Sequence, residues 1–314
     1  MKKIFLMLAA AVMSAGIMSA QDLNSALELA NQGNDAFSAG SPELALEAFQ
    51  ASLKIAEGLG EEGAAHVETC KTAISNIYMS LAKSTYKEKN WDAAVEAFTK
   101  AKEVAELYGN ATVAEEAAKL ITNSQAQKLL GLASEAKKAK DFAGAATYYQ
   151  QALDLDPTNG GYAVQLGQAY VTLKNWDEAE KALNLAKENG QEKNATKLLA
   201  QLFLKRCQES LKATKFQEAL DFANKSNEYA PSANAYKLGA SAATKLNNLP
   251  AAEEFYGKYL ELSPNAKDAS SIKLTLAALY QKAGNKAKAI EYYTMIANDP
   301  VHGATAQQQL SALK

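Results

Sequence analysis

One arrangement of apolar and polar positions recurs along the chain. A turn residue is followed by an aromatic or apolar residue. Alanine comes three positions later, and a bulky side chain four beyond that. The clearest copy is Asn90, Trp91, Ala94 and Phe98. The order returns at Asp141, Phe142, Ala145, Tyr149 and at Asn175, Trp176, Ala179, Leu183. Further copies are Lys215, Phe216, Ala219, Ala223; then Asn248, Leu249, Ala252, Tyr256; then Asn285, Lys286, Ala289, Tyr293. Ser41, Pro42, Ala45 and Phe49 open the series. An alanine and a bulky residue four later share one helix face. The small residue lets a preceding helix come close, the bulky one fills the space one turn on, and the leading apolar residue closes the corner.

A second amphipathic segment precedes each copy. Ala163, Leu166, Gly167, Tyr170 and Leu173 show it best, spaced by three and four as on one helical stripe. Pro157, Pro231, Pro264 and Pro300 fall just after second segments, where proline stops a helix. Each unit therefore reads as helix, tight turn, helix, stop. Ala, Leu, Lys, Glu and Gln dominate the composition and there are only 6 Pro, which agrees with an all-α fold. From one marker alanine to the next the steps are 49, 51, 34, 40, 33 and 37 residues. The two long steps stay helix-like through residues 56–75 and 105–123, so they predict longer helices rather than inserted domains. Gly58, Leu59, Gly60 and Gly109, Asn110 mark turns. The last residues from Thr305 read as a polar capping helix, with Leu310 and Leu313 covering the final repeat.

The sets Leu166, Gly167, Tyr170, Ala179, Ala186 and Tyr280, Gly284, Ala289, Tyr293, Pro300 resemble the tetratricopeptide repeat. Ala145, Tyr149, Ala152 and Pro157 resemble its second half. The resemblance covers about residues 24 to 300, although the first two steps exceed the family period of about 34 residues. It implies a right-handed superhelical solenoid of about seven repeats, the first three on longer helices, with first helices lining a concave groove that takes peptides or short protein segments. The expected divisions are a signal segment 1–20, long-helix repeats 21–157, regular repeats 158–301 and a cap 302–314. The run Asp156 to Gly161 marks the boundary between the two kinds of repeat.

The amino terminus changes the expected setting. Lys2 and Lys3 precede a charge-free run from Ile4 to Ala20, the layout of a secretory signal peptide cut after Ala20. Met18 is larger than the usual residue before such a cut, and an uncleaved anchor is the competing reading. A periplasmic location is expected, with a secreted or outer-membrane-associated one as the alternative, and with no membrane insertion after cleavage. The whole chain carries 33 basic and 35 acidic residues, a net charge of −2, which does not favour nucleic acid as a partner. Cys70 and Cys207 are expected to be buried and unpaired.

Motifs for catalysis are missing. His66 and His302 read as lacking ligands at metal spacing, and neither a glycine-rich phosphate loop nor a nucleophile motif is present. No cofactor, metal or enzymatic activity is expected. Paired acids such as Glu253 and Glu254 read as solvated face, and Trp91 and Trp176 as corner packing. The register of the first helices assigns groove positions that include lysines but no Asp or Glu, while acids such as Glu43, Asp92, Glu178 and Glu253 lie on second helices. An acidic protein or peptide partner follows, contacted by Asn34, Lys83, Lys137, Gln168, Gln208, Lys212, Lys237, Ser241 and Lys245. Lysines near first-helix ends, Lys245 among them, also suit the helix dipole without any ligand. A carbohydrate-binding or glycan-handling accessory role is the alternative. It requires exposed groove aromatics, for which only Phe37 and Tyr86 qualify.

Overall fold

A computed structural model describes residues 22–313. The expected signal segment 1–20 lies outside these residues. The described residues form helical hairpins. α1 (Leu23–Ser38) pairs with α2 (Pro42–Gly58), and after a short 3-10 turn α3 (Ala64–Lys87) pairs with α4 (Trp91–Leu107). α5 (Ala111–Lys138) is followed by α6 (Phe142–Leu155), α7 (Gly160–Leu173) by α8 (Trp176–Ala186), and α9 (Glu192–Lys212) by α10 (Phe216–Tyr229). α11 (Ala233–Lys245) with α12 (Leu249–Leu262) and α13 (Ala269–Lys282) with α14 (Lys286–Met295) complete the seven pairs. α15 (Gly303–Leu313) ends the array. The all-α class and the repeat reading hold.

Two devices recur at the hairpin turns. The residue before each second helix's cap adopts the left-handed conformation: Gly40, Lys89, Lys140, Lys174, Thr214, Asn247 and Gly284, with φ between 55° and 77°. The next N–H then donates to a carbonyl five residues back, as Asp141 N does to Ala136 O at 2.8 Å and Asn175 N to Tyr170 O at 3.0 Å. This bond satisfies one of the carbonyls that a helix end leaves free. The turn residue of the sequence pattern starts the following helix. The side-chain oxygens of Asn90, Asp141, Asn248 and Asn285 accept from backbone N–H groups three residues on. Those bonds satisfy donors orphaned at a helix start.

All seven marker alanines, Ala45, Ala94, Ala145, Ala179, Ala219, Ala252 and Ala289, are fully buried. Glycine on the facing first helix allows the closest approaches. A Cβ on Gly167 would meet Leu183 at 2.7 Å, and one on Gly239 would meet Phe255 at 2.1 Å. Phe255, not Tyr256, therefore takes the inward position in the sixth pair.

The long steps of the sequence appear as helix. α3 has 24 residues and α5 has 28, against 14 for α6 and α7. The 40-residue step adds a further long helix, α9, with 21 residues behind a turn at Lys187–Gln191 where Gly190 has φ 79°.

The chain divides into two compact units, one ending at Gly131 and one beginning at Leu132. In the N-terminal unit Phe49, Cys70, Ile74 and Ile77 form one buried cluster and Met79, Phe98, Ala105 and Val113 another. In the C-terminal unit a larger core gathers Leu183, Leu199, Phe203, Leu220, Phe255 and Leu276. A separate cluster ends the unit, with Ala306 of α15 buried and Leu310 and Leu313 against Tyr293 and Ile296. No described helix is long and apolar enough to cross a membrane.

Candidate binding face

In the N-terminal unit Asn34 is exposed on α1 near Phe37, itself 41% exposed. Lys83 on α3 is not a free cation. Its ammonium lies 2.7 Å from Glu116 of α5. Tyr86 packs edge-on against Trp91 at 5.3 Å and Phe98 at 6.0 Å, which spends its ring on the fold.

The C-terminal unit holds two adjoining clefts. The smaller, about 130 Å³, is lined by Lys137, Phe142, Gln165, Gln168, Ala169 and Thr172. The larger, about 230 Å³, lies between α7 and α9 and shares Thr172 with the first. Its remaining walls are Val171, Lys174, Trp176, Lys205, Gln208, Glu209 and Lys212. The structure thus brings Lys137 together with Gln168, and Gln208 together with Lys212. Lys237, Ser241 and Lys245 stand apart on α11.

The ammonium groups differ in what they face. Lys174 pairs with Glu209. Lys205 and Lys212 have no ion-pair partner among the described residues. Lys137 lies over the Tyr149 ring, 5.9 Å from its centre. Lys237 lies 2.7 Å from Asp268 and 5.5 Å above the Tyr259 ring. The hydrogen bond to Asp268 raises the Lys237 pKa, and the same contact holds Asp268 below the usual carboxylate range. Arg206 is also committed. Its guanidinium stacks 4.3 Å from the Phe222 ring centre and reaches Asp177 and Glu180 at 3.5 Å each.

Sequence reading missed Lys205, Lys174 and Glu209 in the larger cleft, and Glu116 and Asp268 as partners of assigned lysines. Lys205 was findable: it sits seven residues before Lys212, on the same stripe of the same helix. Trp176 packs on the core as expected, yet its exposed side also borders the larger cleft.

One expectation is corrected. His66 does have a cysteine at ligand spacing, because Cys70 lies one turn on along α3. Ser52 Oγ donates to Ala26 O at 2.6 Å, and His66 Nε2 is 2.8 Å from Ser52 Oγ and 3.5 Å from Cys70 Sγ. The serine proton is spent on Ala26, so the imidazole nitrogen donates its own proton to Ser52. It is then no base for the thiol, whose pKa burial pushes up. The triangle ties α1, α2 and α3 together. Among the described residues no set of three or more His, Cys, Asp or Glu is placed to hold a metal.

Glu253 also departs from the solvated face expected of it. It accepts from Tyr292 Oη at 2.7 Å and from Tyr280 Oη, and it pairs with Lys288 at 2.6 Å. Burial opposes its ionisation. The bonds from Lys288, Tyr280 and Tyr292 outweigh that and hold the carboxyl below its usual range. Burial first, and then the bond to Glu253, push the Tyr280 phenol up to about 12.

Residues 136–202 match the tetratricopeptide repeat family. Among solved structures, MamA superposes with a TM-score of 0.38 at 17% identity, covering 58% of this chain and 96% of its own. YrrB, titled a TPR protein with an unusual peptide-binding site, gives 0.35 at 18% identity, over 57% of this chain and 90% of its own. MamA from Desulfovibrio magneticus RS-1 gives 0.35 at 15% identity, over 60% and 96%. The family match thus covers α6 to α8 and the flanking helix segments, and further helical hairpins precede and follow it.

Proposed function

We propose that this chain is a non-enzymatic scaffold, exported to the periplasm, that holds an acidic peptide segment of a partner protein in the clefts of its C-terminal unit. The observation that carries this reading is the α7–α9 cleft, where Lys205 and Lys212 stand beside Gln208 without ion-pair partners among the described residues. Lys174, Lys205 and Lys212 outnumber Glu209 in its walls, and a cleft of net positive charge concentrates anions. A carboxamide both donates and accepts, so Gln208 in this cleft and Gln168 in its neighbour suit a peptide backbone. The buried Ser52–His66–Cys70 triangle is committed to holding helices together. Export rests on Lys2, Lys3 and the apolar run to Ala20.

The test is fluorescence anisotropy of the mature chain with labelled acidic peptides at low and high salt. Binding is expected to weaken at least tenfold as the Debye length shrinks from about 30 Å to about 8 Å. Salt-independent binding, or none, overturns the reading. Amino-terminal sequencing of protein from a periplasmic extract should begin at Gln21. Intact Met1 in the membrane fraction overturns the export part.

A further inference from the structure

The larger cleft carries more than a sign of charge. Lys205 and Lys212 are seven residues apart on α9, which sets them about 10.5 Å apart along the helix axis at about 1.5 Å per residue. Gln208 lies between them on the same wall. The Lys174–Glu209 pair fills the adjoining positions, so Glu209 does not compete for the two free ammoniums. Opposite, the Thr172 hydroxyl donates back to Gln168 O at 3.0 Å, which leaves it only as an acceptor. Trp176 supplies the apolar wall.

A ligand must place two negative groups about 10 Å apart on one side. In a pleated strand, same-side residues two apart span only about 6.8 Å and those four apart about 13.6 Å. In a polyproline II helix, with three residues per turn and about 3.1 Å rise, same-side residues three apart span about 9.3 Å. Flexible lysine stems absorb the remaining difference. This conformation also leaves its backbone amides unbonded, free for Gln208 and Thr172, and its pyrrolidine rings suit an indole wall.

We infer that the α7–α9 cleft is a docking site for a proline-rich acidic segment in polyproline II conformation, its two side-chain carboxylates three residues apart on Lys205 and Lys212. This rests on the peptide-holding reading above and gives it a spacing rule.

The probes are end-blocked fluorescent peptides containing Glu-Pro-Pro-Glu, Pro-Glu-Glu-Pro or Glu-Pro-Glu-Pro, titrated into the mature full chain. The first should bind about tenfold tighter than the other two, a difference of about 1.4 kcal/mol. Lys205→Gln and Lys212→Gln should each remove that preference, whereas Lys193→Gln, on the same helix but outside the cleft, should keep it. Circular dichroism confirms that the variants fold. Equal affinity for the three peptides overturns the spacing rule while leaving a general acidic-peptide scaffold standing. So does a preference that survives both substitutions. A large gain on freeing the peptide carboxyl terminus assigns the cleft to a chain end instead and also overturns it. Failure of every acidic peptide to bind overturns both readings.

Discussion

Lys237 Nζ lies 2.7 Å from Asp268, and Tyr259 Oη donates to the same carboxylate at 2.8 Å. A lysine that the register assigned to ligand binding is therefore already neutralised within the protein, as Lys83 is by Glu116. On α9, by contrast, Lys205 and Lys212 have no ion-pair partner among the described residues. Lys237→Gln is expected to leave acidic-peptide affinity within twofold. Because Lys237 is half exposed, the loss of stability should not exceed about 1 kcal/mol. Anisotropy and thermal melts check both. A tenfold loss of affinity would return Lys237 to the site.

Glu253 joins α12 to α13 and α14 by accepting from two tyrosines and a lysine. Glu253→Ala should destabilise by about 1–3 kcal/mol, since it leaves the phenols of buried Tyr280 and half-buried Tyr292 and an ammonium without this partner. The folded-state pKa of this carboxyl lies below its unfolded value. Its contribution is therefore present above the unfolded value of about 4.3 and is lost as pH falls through the folded value. Melting temperatures measured from pH 6 down into that acidic range should fall more steeply for the parent chain than for Glu253→Gln.

The Gly239 position admits no side chain without movement of Phe255. Gly239→Ala should destabilise by about 1–3 kcal/mol through overpacking. Gly257, with open space at its Cβ, should tolerate alanine. Chemical denaturation of the two variants side by side makes the comparison.

Thr214 is β-branched yet holds φ 58° at the α9–α10 turn, a conformation costing about 1–2 kcal/mol in an L-residue. Thr214→Gly should therefore stabilise the chain by about 1 kcal/mol or somewhat less, because glycine also gains freedom in the unfolded chain. A fall in melting temperature would show that the threonine side chain compensates the strain.

The architecture was legible because its determinants are local. A buried alanine, a turn residue before the second helix and a residue one turn on lie within nine consecutive positions, and the marker alanine is buried in all seven copies. Ion pairing was not legible. Glu116 and Asp268 reach their lysines from the next hairpin, and nothing in the spacing of Lys83 or Lys237 announces them. The cleft was half legible. Gln208 and Lys212 fell out of the helical register, but Lys205, on the same helix, borders the cleft only through the way α7 and α9 pack, which spacing alone does not give. Phe255 takes the inward position expected of Tyr256 because its ring packs where Gly239 has no Cβ.

Lysine acylation footprinting of the mature chain, with and without the end-blocked Glu-Pro-Pro-Glu peptide, reads most directly which face binds. Bound peptide should shield Lys205 and Lys212 from acylation and leave Lys193 and Lys237 unchanged. Protection spread evenly over the lysines, or confined to those on second helices, would contradict a binding face on the α7–α9 cleft.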